Sequence, residues 1–234
     1  MTEVVNRGLD SADIAPIRAE STASLISRRL REGIALGHFA QGQQLVEVEL
    51  SKQLQVSRGV LREAMQRLTQ EGLLVSRPNR GVFVAELDSA AVFDIYTARL
   101  AIERAACLKV IDVTDRASEM AAALDASSDL YEERIAQGAG LEEIARLDIE
   151  FHERMVAEAH SVRLDRMYGT LATEARMCFS GLESRVYPAA ERLAEHRAIA
   201  QAIRERDVPL LHRLLAEHMD HAVEMILREV ESSD

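Results

Sequence analysis

The chain has 234 residues, of which 47% are hydrophobic and only 4% are aromatic, and it contains no tryptophan. This aliphatic composition favours helices over a β-sandwich or barrel, and the length suits one large domain or two modest ones. With only two cysteines, Cys107 and Cys178, a disulfide framework or a cysteine-rich zinc site is excluded, and a cytoplasmic protein is expected. Since no apolar run approaches the roughly 18 residues of a membrane span and residues 1–13 lack a signal-peptide pattern, neither membrane insertion nor export is expected.

The net charge of −11 is unevenly distributed along the chain. Residues 1–87 carry 11 basic and 10 acidic side chains, whereas residues 88–234 carry 17 and 29, so that the net charges are +1 and −12. An acidic protein is a poor partner for nucleic acid, but this argument applies only to the second part. The charge and a change in sequence pattern near residue 87 predict a first domain (18–87) and a second domain (88–234). Residues 1–17 lack periodicity and are predicted to be a flexible tail.

The first domain contains three helical patterns followed by a hairpin. Apolar residues at helical spacing predict a helix that ends near Gly37: Leu25, Ile26, Leu30, Ile34 and Leu36. A short helix follows over about Glu47–Leu54, and Ser57 offers an N-cap oxygen for a third helix. Two β-prone runs, Leu73–Ser76 and Val82–Ala85, enclose a turn rich in hairpin residues. This order of elements predicts a winged helix-turn-helix.

The predicted third helix has one apolar and one polar face. Arg58, Arg62 and Gln66 follow one another at intervals of four residues on the polar face. A helix of this kind enters the major groove of DNA, where arginine forks bind guanine or phosphate. Ser57 and the free N–H groups at the helix start can hold a phosphate oxygen. Alternatively, the arginines only solvate an exposed helix face, but the combination with the hairpin favours double-stranded DNA as the partner.

The turn of the hairpin forms the predicted wing. Arg80 and Asn79 lie at its tip, where they can reach the minor groove or the DNA backbone, and Gly81 permits close approach.

These segments resemble the N-terminal domain of the GntR family of bacterial transcription regulators. The resemblance rests on residues 45–51, 56–64 and 70–73 and on the wing at 78–84. It implies that Ser57, Arg58 and Arg62 contact operator DNA and that the wing around Gly81 assists. The chain has Gly59-Val60 where many members have Thr-Pro, and Val48 where some have an arginine, so the base preference of relatives does not transfer.

The second domain is predicted to be an antiparallel all-α bundle of six to seven helices, which makes the whole protein mainly α. Breaks in the apolar pattern separate six helical segments: 89–111, 115–137, 141–159, 162–183, 187–206 and 208–231. The links are short, which favours antiparallel neighbours. Ser89 and Thr114 are predicted N-caps.

Three of these helices carry residues suited to bind a metal ion. Asp148 and His152 lie one helical turn apart on one face, and His196 and His218 each lie 11 residues from the turn at Asp207. Antiparallel packing about this turn sets the two imidazoles level. One carboxylate and three imidazoles suit a divalent ion, with Zn²⁺ the first choice and Ni²⁺ or Mn²⁺ as alternatives.

The sequence leaves other interpretations of this set open. Asp148 and His152 could form a simple helical ion pair. The last helix also offers His212 and His221, and His221 could replace or supplement His218, because it lies three residues further along the same helix.

The second domain resembles the FCD effector domain of FadR-type GntR regulators over about residues 90–230. The similarity is strongest at residues 148–152 and 195–203 and at the closing His218, and six helices fit the VanR-like division. In metal-binding members, the positions that match Asp148, His152, His196 and His218 are the ligands. The resemblance further implies that Arg99 lines the effector pocket, with Arg176 a weaker candidate, and that the effector is a small carboxylate metabolite.

Together these features predict a regulator that responds to a ligand, a repressor that binds a near-palindromic operator as a homodimer. One alternative is a metal sensor in which the ion itself is the signal. A metal-dependent hydrolase is less favoured, because no separate general base is evident.

Overall fold

The computed structural model describes residues 21–179 and 188–232, so the predicted tail 1–17 lies outside the described residues. Nine α-helices and one three-stranded sheet form the described part of the chain, which confirms the mainly α fold. No helix among these residues is both long and apolar enough to cross a membrane.

The first part of the chain forms a helical cluster with a small antiparallel sheet of order β1-β3-β2. Its elements are α1 (Thr22–Ala35), β1 (Gln44–Leu45), α2 (Glu47–Gln53), α3 (Arg58–Gln70), β2 (Leu74–Arg77) and β3 (Gly81–Val84). The apolar stripe of α3 is fully buried, and α3 packs against α1 and α2. The three predicted helices and the β2–β3 hairpin are confirmed, whereas β1, a strand of two residues, was not predicted.

The tip of the hairpin has a backbone that requires special residues. Asn79 and Gly81 have φ angles of 60° and 102°, in the left-handed region that asparagine tolerates and glycine favours. Gln44 Nε2 donates a 2.7 Å hydrogen bond to the carbonyl of Arg80, and a Cβ at position 81 would lie 2.8 Å from the same nitrogen. Gly81 is therefore needed to fasten the wing to β1.

The second part of the chain consists of six helices with short connections. They are α4 (Ser89–Ile111), α5 (Thr114–Ala136), α6 (Leu141–Glu158), α7 (Val162–Phe179), α8 (Ala189–Glu205) and α9 (Val208–Ser232). The predicted helix 162–183 ends its described part at Phe179, because residues 180–187 lie outside the described residues. The N-cap of α4 is Asp88, whose carboxylate accepts the N–H of Ala91, so the prediction of Ser89 was wrong by one position. The N-cap of α5 is Val113, so the prediction of Thr114 was also wrong by one position.

The packing of this bundle brings helices from distant parts of the sequence together. α5 packs against α6 and α8, while α4 packs against α7 and α9. The sharp link between α8 and α9, in which Arg206 has a left-handed conformation, folds the two helices onto each other. Three of the resulting neighbours, α6, α8 and α9, carry the residues predicted to bind a metal.

Contacts between α7 and α1 connect the two parts of the molecule. Met177, near the end of α7, is 1% exposed and lies in the hydrophobic core formed by α1, α3 and the sheet. Its carbonyl accepts a 3.2 Å hydrogen bond from the side chain of Gln41. The bundle thus contributes a side chain to the core of the winged part.

Candidate metal centre and nucleic-acid interface

The four predicted metal ligands come together in one buried cluster. Asp148 and His152 lie one turn apart on α6, His196 lies in the middle of α8, and His218 lies on α9. Each offers a ligand atom, and these atoms all lie within 4.8 Å of one another. None of the four residues is more than 1% exposed. We call these residues the Asp/His cluster.

Among the alternatives on α9, the structure places His218 and not His221 in the cluster. The side chain of His221 is 59% exposed, and its Nδ1 lies 2.6 Å from the carboxylate of Glu195, outside the cluster. Helical geometry explains the difference. Three residues advance the helix by about 300°, which falls short of a full turn, so the side chain of His221 lies beside the buried face and not on it.

Two carboxylates hold the outer nitrogens of two cluster histidines. Glu103 Oε2, from α4, lies 2.8 Å from His152 Nδ1, and Glu195 Oε2 lies 2.7 Å from His218 Nδ1. Because each Nδ1 faces a carboxylate, we assign the Nδ1–H tautomer to both rings, which leaves a lone pair on each Nε2. These two Nε2 atoms lie only 2.9 Å apart. Sequence reasoning missed Glu103 and Glu195, since a carboxylate behind a ligand has no fixed spacing from it.

Three members of the cluster have the protonation states that metal binding requires. Burial lowers the pKa of His196 to about 4 against the opposing effect of Asp148, and burial together with the charge of Arg192 holds the pKa of His218 well below its ordinary value. Burial alone would raise the pKa of Asp148, but Arg192 and His196 outweigh it and hold that pKa well below its usual range. Neutral imidazoles and an ionised carboxylate are the forms that bind a metal.

Several atoms of the cluster lack a hydrogen-bond partner among the described residues. They are Asp148 Oδ2 and the two ring nitrogens of His196, of which Nε2 lies 3.3 Å from Asp148 Oδ1, and all are buried. A buried polar atom without a partner is costly and therefore rare in native proteins. A free carboxylate oxygen and the single lone pair of the His196 ring, together with the Nε2 lone pairs of His152 and His218, fit a divalent cation.

An arginine that the sequence analysis did not single out reaches into the cluster. Arg192, on α8, is 2% exposed. Its Nε lies 3.3 Å from Asp148 Oδ1, and its Nη2 lies 2.7 Å from His218 Nε2. One guanidinium thus contacts two of the four predicted metal ligands.

Arg99, the predicted effector residue, lies beside the cluster. It is fully buried on α4, its Nε contacts Glu103 and the hydroxyl of Tyr168, and its guanidinium stacks on Tyr96. Its Nη1 and Nη2 and the Tyr96 hydroxyl have no hydrogen-bond partner among the described residues. Glu103 contacts both Arg99 and His152, so it joins this buried polar group to the Asp/His cluster.

Arg176, the weaker effector candidate, lies at a different place. Its guanidinium pairs with Glu153 at 2.5 Å, and it lines a cleft of about 630 Å³ between the end of α1 and α6. Within the described part of the chain, no hydrogen bond or ion pair joins it to Arg99 or to the Asp/His cluster.

The residues predicted to contact DNA on α3 are exposed on one face. The Ser57 hydroxyl caps the helix by accepting the N–H of Val60 at 3.4 Å, as predicted. Arg58, Arg62 and Gln66 are all exposed. Arg62 forms a two-pronged ion pair with Glu47 of α2, with distances of 3.2 and 2.9 Å, which holds its fork in place.

The wing presents Asn79, Arg80 and Gly81 to solvent. The guanidinium groups of Arg77 and Arg80 lie over the ring of Phe83, at 4.7 and 6.0 Å from its centre. Arg77 also pairs with Glu86 at 3.1 Å. In the described structure Arg80 has no ion pair, so its charge remains available to a polyanion.

Family models match both parts of the chain. Residues 22–84 match the gntR family of bacterial regulatory proteins, and residues 94–221 match the FCD domain.

Several relatives of this chain are transcription regulators. The transcriptional repressor RspR of Escherichia coli strain K12 is 30% identical over 86% of this chain and 87% of its own length. The regulator YdhC of Bacillus subtilis is 28% identical over 87% of this chain and 90% of its own. The crystal structure of a GntR regulator from Rhodococcus sp. RHA1 is 26% identical, covers 89% of this chain and 98% of its own, and has a TM-score of 0.74. These comparisons do not support the hydrolase alternative, and the chain belongs to the GntR family of transcription regulators with an FCD domain.

Proposed function

We propose that this protein represses transcription as a homodimer that binds a near-palindromic operator through α3 and the wing, and that a small carboxylate metabolite releases it. The exposed face of Ser57, Arg58, Arg62 and Gln66 supports major-groove binding. The three exposed wing residues support contact with the backbone or minor groove. The 30% identity to a named repressor supports repression rather than activation.

In this proposal, Asp148, His152, His196 and His218 hold a divalent ion, with Zn²⁺ the first choice and Ni²⁺ or Mn²⁺ as alternatives. When bound, such an ion supplies positive charge and open coordination positions for a carboxylate oxygen. Glu103 and Glu195 orient His152 and His218 so that their Nε2 lone pairs face inward. In the competing function, the protein is a metal sensor and the ion itself is the signal.

The observation that carries the effector proposal is the buried guanidinium of Arg99. Its Nη1 and Nη2 have no hydrogen-bond partner among the described residues, although the side chain is fully buried. A buried charge with free donors is costly unless an anion binds to it. A planar carboxylate matches these two nitrogens of the guanidinium, and Glu103 connects Arg99 to the cluster.

The test combines metal analysis with DNA titrations. Purified protein is assayed for bound metal, and operator binding is then measured with and without Zn²⁺ and across a panel of small mono- and dicarboxylates. We expect release of DNA only when a carboxylate is added to the metal-loaded protein. Release by the metal alone would establish the metal-sensing alternative instead.

Two variants, each with a matched control, separate the metal ligands from the effector residue. His196→Ala should lose bound metal, whereas the exposed His221→Ala should retain it; equal metal content in both would refute the ligand set. Arg99→Met should retain metal but lose the response to carboxylates, and Arg176→Met should retain both. If Arg176→Met instead loses the response, the effector site lies in the cleft beside α1.

A further inference from the structure

Arg192 has the position of a cation in the Asp/His cluster. Its Nη2 lies 2.7 Å from His218 Nε2, the nitrogen that points into the cluster, and its Nε lies 3.3 Å from Asp148 Oδ1. The same side chain is anchored by Nη1, which donates to the carbonyl of His218 at 2.9 Å and to Glu195 at 3.2 Å. One guanidinium therefore neutralises the buried carboxylate and donates to an inward lone pair.

A metal ion at the cluster needs the lone pair of His218 Nε2, to which Arg192 donates a hydrogen bond. Binding to His218 Nε2 is exclusive, because an imidazole nitrogen has a single lone pair, which cannot serve both an N–H donor and a metal. Two positive charges in one buried cluster would also repel each other strongly. The guanidinium and a divalent ion are thus mutually exclusive occupants.

The structure offers a place for the displaced guanidinium. Arg192 lines an open pocket of about 340 Å³ between α8 and α9. The same pocket is lined by three carboxylates, Glu191, Glu195 and Glu224, and by one further cation, Arg228. A rotation of the long Arg192 side chain toward these carboxylates would keep its charge compensated.

We propose that Arg192 is an internal counter-ion that occupies the metal centre in the ion-free protein, and that a divalent ion must displace it toward the glutamates of the pocket. Arg192 thereby sets the affinity of the site: it stabilises the ion-free cluster and lowers the affinity for the metal. This inference rests on the proposed metal site at Asp148, His152, His196 and His218.

The test measures Zn²⁺ affinity, by competition with a chromophoric chelator, in the full-length wild type, Arg192→Met and the control Arg228→Met. Methionine keeps much of the length of the side chain but lacks the charge and donors. Because hydrogen bonds to charged groups contribute about 1.5–3 kcal/mol, we expect Arg192→Met to bind Zn²⁺ about 10- to 100-fold more tightly. Arg228→Met, which removes a charge from the lining of the same pocket, should change the affinity for Zn²⁺ less than threefold.

Melting temperatures give a second reading that does not depend on the chelator. Without metal, Arg192→Met should melt below the wild type, since the buried Asp148 loses its counter-ion, and Zn²⁺ should raise its melting temperature by more than it raises that of the wild type. If Arg192→Met does not fold without metal, Arg192→Lys takes its place. Lysine keeps the charge but lacks the fork, so this variant should bind Zn²⁺ more tightly than the wild type.

The outcomes separate this inference from the metal proposal on which it rests. An affinity for Zn²⁺ in Arg192→Met that is unchanged or weaker than in the wild type would overturn the role of Arg192 alone. If neither protein binds Zn²⁺, Ni²⁺ or Mn²⁺, the metal site itself is refuted, and the inference fails with it.

Discussion

At the scale of single residues, Arg62 combines exposure with fixed orientation. Glu47 holds its guanidinium through two contacts, and the hydrogen bond to Glu47 raises the pKa of Arg62. A charged fork that is already oriented loses less entropy when it binds a base edge or a phosphate.

Arg62→Ala is therefore expected to weaken operator binding by about 10- to 100-fold per half-site, the usual contribution of a base-contacting arginine. Fluorescence anisotropy with labelled operator measures the effect, and the metal content of the variant should not change. Arg67→Ala is the matched control, because Arg67 lies on the same helix but contacts Ser24 and Glu63. An equal loss in both variants would contradict a specific contact by Arg62.

The cluster histidines also predict how stability depends on pH. Burial lowers the pKa of His196 to about 4 in the folded protein, whereas the unfolded value lies near 6.5. Between these values the unfolded chain binds more protons, so stability is lost as the pH falls. His196 alone should cost metal-free protein about 1 kcal/mol between pH 7.5 and 5.5.

Urea unfolding of chelator-treated protein at several pH values measures this loss. His221→Ala should show the same pH dependence as the wild type, because His221 is exposed. A free energy of unfolding that stays constant down to pH 5.5 would rule out neutral buried histidines.

The four residues of the Asp/His cluster could be selected from their spacing together with the family resemblance, while their surroundings could not be predicted. The i, i+4 pair on α6 and the symmetry of His196 and His218 about the α8–α9 turn are local patterns that helical geometry converts into proximity. Arg192 lies only four residues before His196, but many helical arginines face solvent. Its contact with Asp148 depends on the packing of α6 against α8, which no spacing in the sequence encodes.

At the scale of elements, helices were predicted to within one or two residues over most of the described chain, because apolar periodicity and capping residues mark them directly. β1 escaped prediction, since two residues show no alternation and the strand exists only through its pairing with Phe83 and Val82 of β3. The cap at Asp88 differs from the predicted Ser89 because both residue types suit this position and only the backbone angles decide.

Helix α7 connects the buried surroundings of Arg99 to the winged part. Tyr168 bonds to Glu103 at 2.6 Å and accepts from Arg99, and Met177, nine residues later on the same helix, lies in the core beside α1. A shift of α7 on effector binding would therefore move a side chain inside the winged part.

Met177→Ala tests this connection. It should cost about 2–4 kcal/mol of stability, because it leaves a cavity in the core around α1. The variant should still show an effector-induced rise in melting temperature, but effector should release its operator DNA less effectively than in the wild type. Met155→Ala, an equally buried substitution in the bundle core, is the control for lost stability. Equal release of DNA by wild type and Met177→Ala would exclude transmission through this contact.

At the scale of the whole molecule, charge is divided between the parts. The first 87 residues are nearly neutral and the remainder carries −12, so affinity for DNA depends on a few placed arginines rather than on a general basic surface. The domain boundary near residue 87 stays a prediction, although the two family matches end and begin on either side of it.

Arg80→Gln is expected to weaken binding to all DNA sequences about equally and to reduce the slope of log K against log salt by about 1 per subunit. Anisotropy titrations on operator and random DNA provide the measurement. They are made at NaCl concentrations between about 50 and 200 mM, because the affinity of phosphate contacts falls steeply over this range. A change confined to the operator would instead indicate that Arg80 reads bases.

The burial of Met177 has a consequence for dissecting the molecule. A fragment that ends at residue 87 lacks this side chain, and the core between α1, α3 and the sheet would then be open on one side. We expect such a fragment to expose apolar side chains of this core to water, to be less stable than the intact chain and to aggregate more readily. Heating the intact chain should accordingly produce one cooperative unfolding transition rather than two.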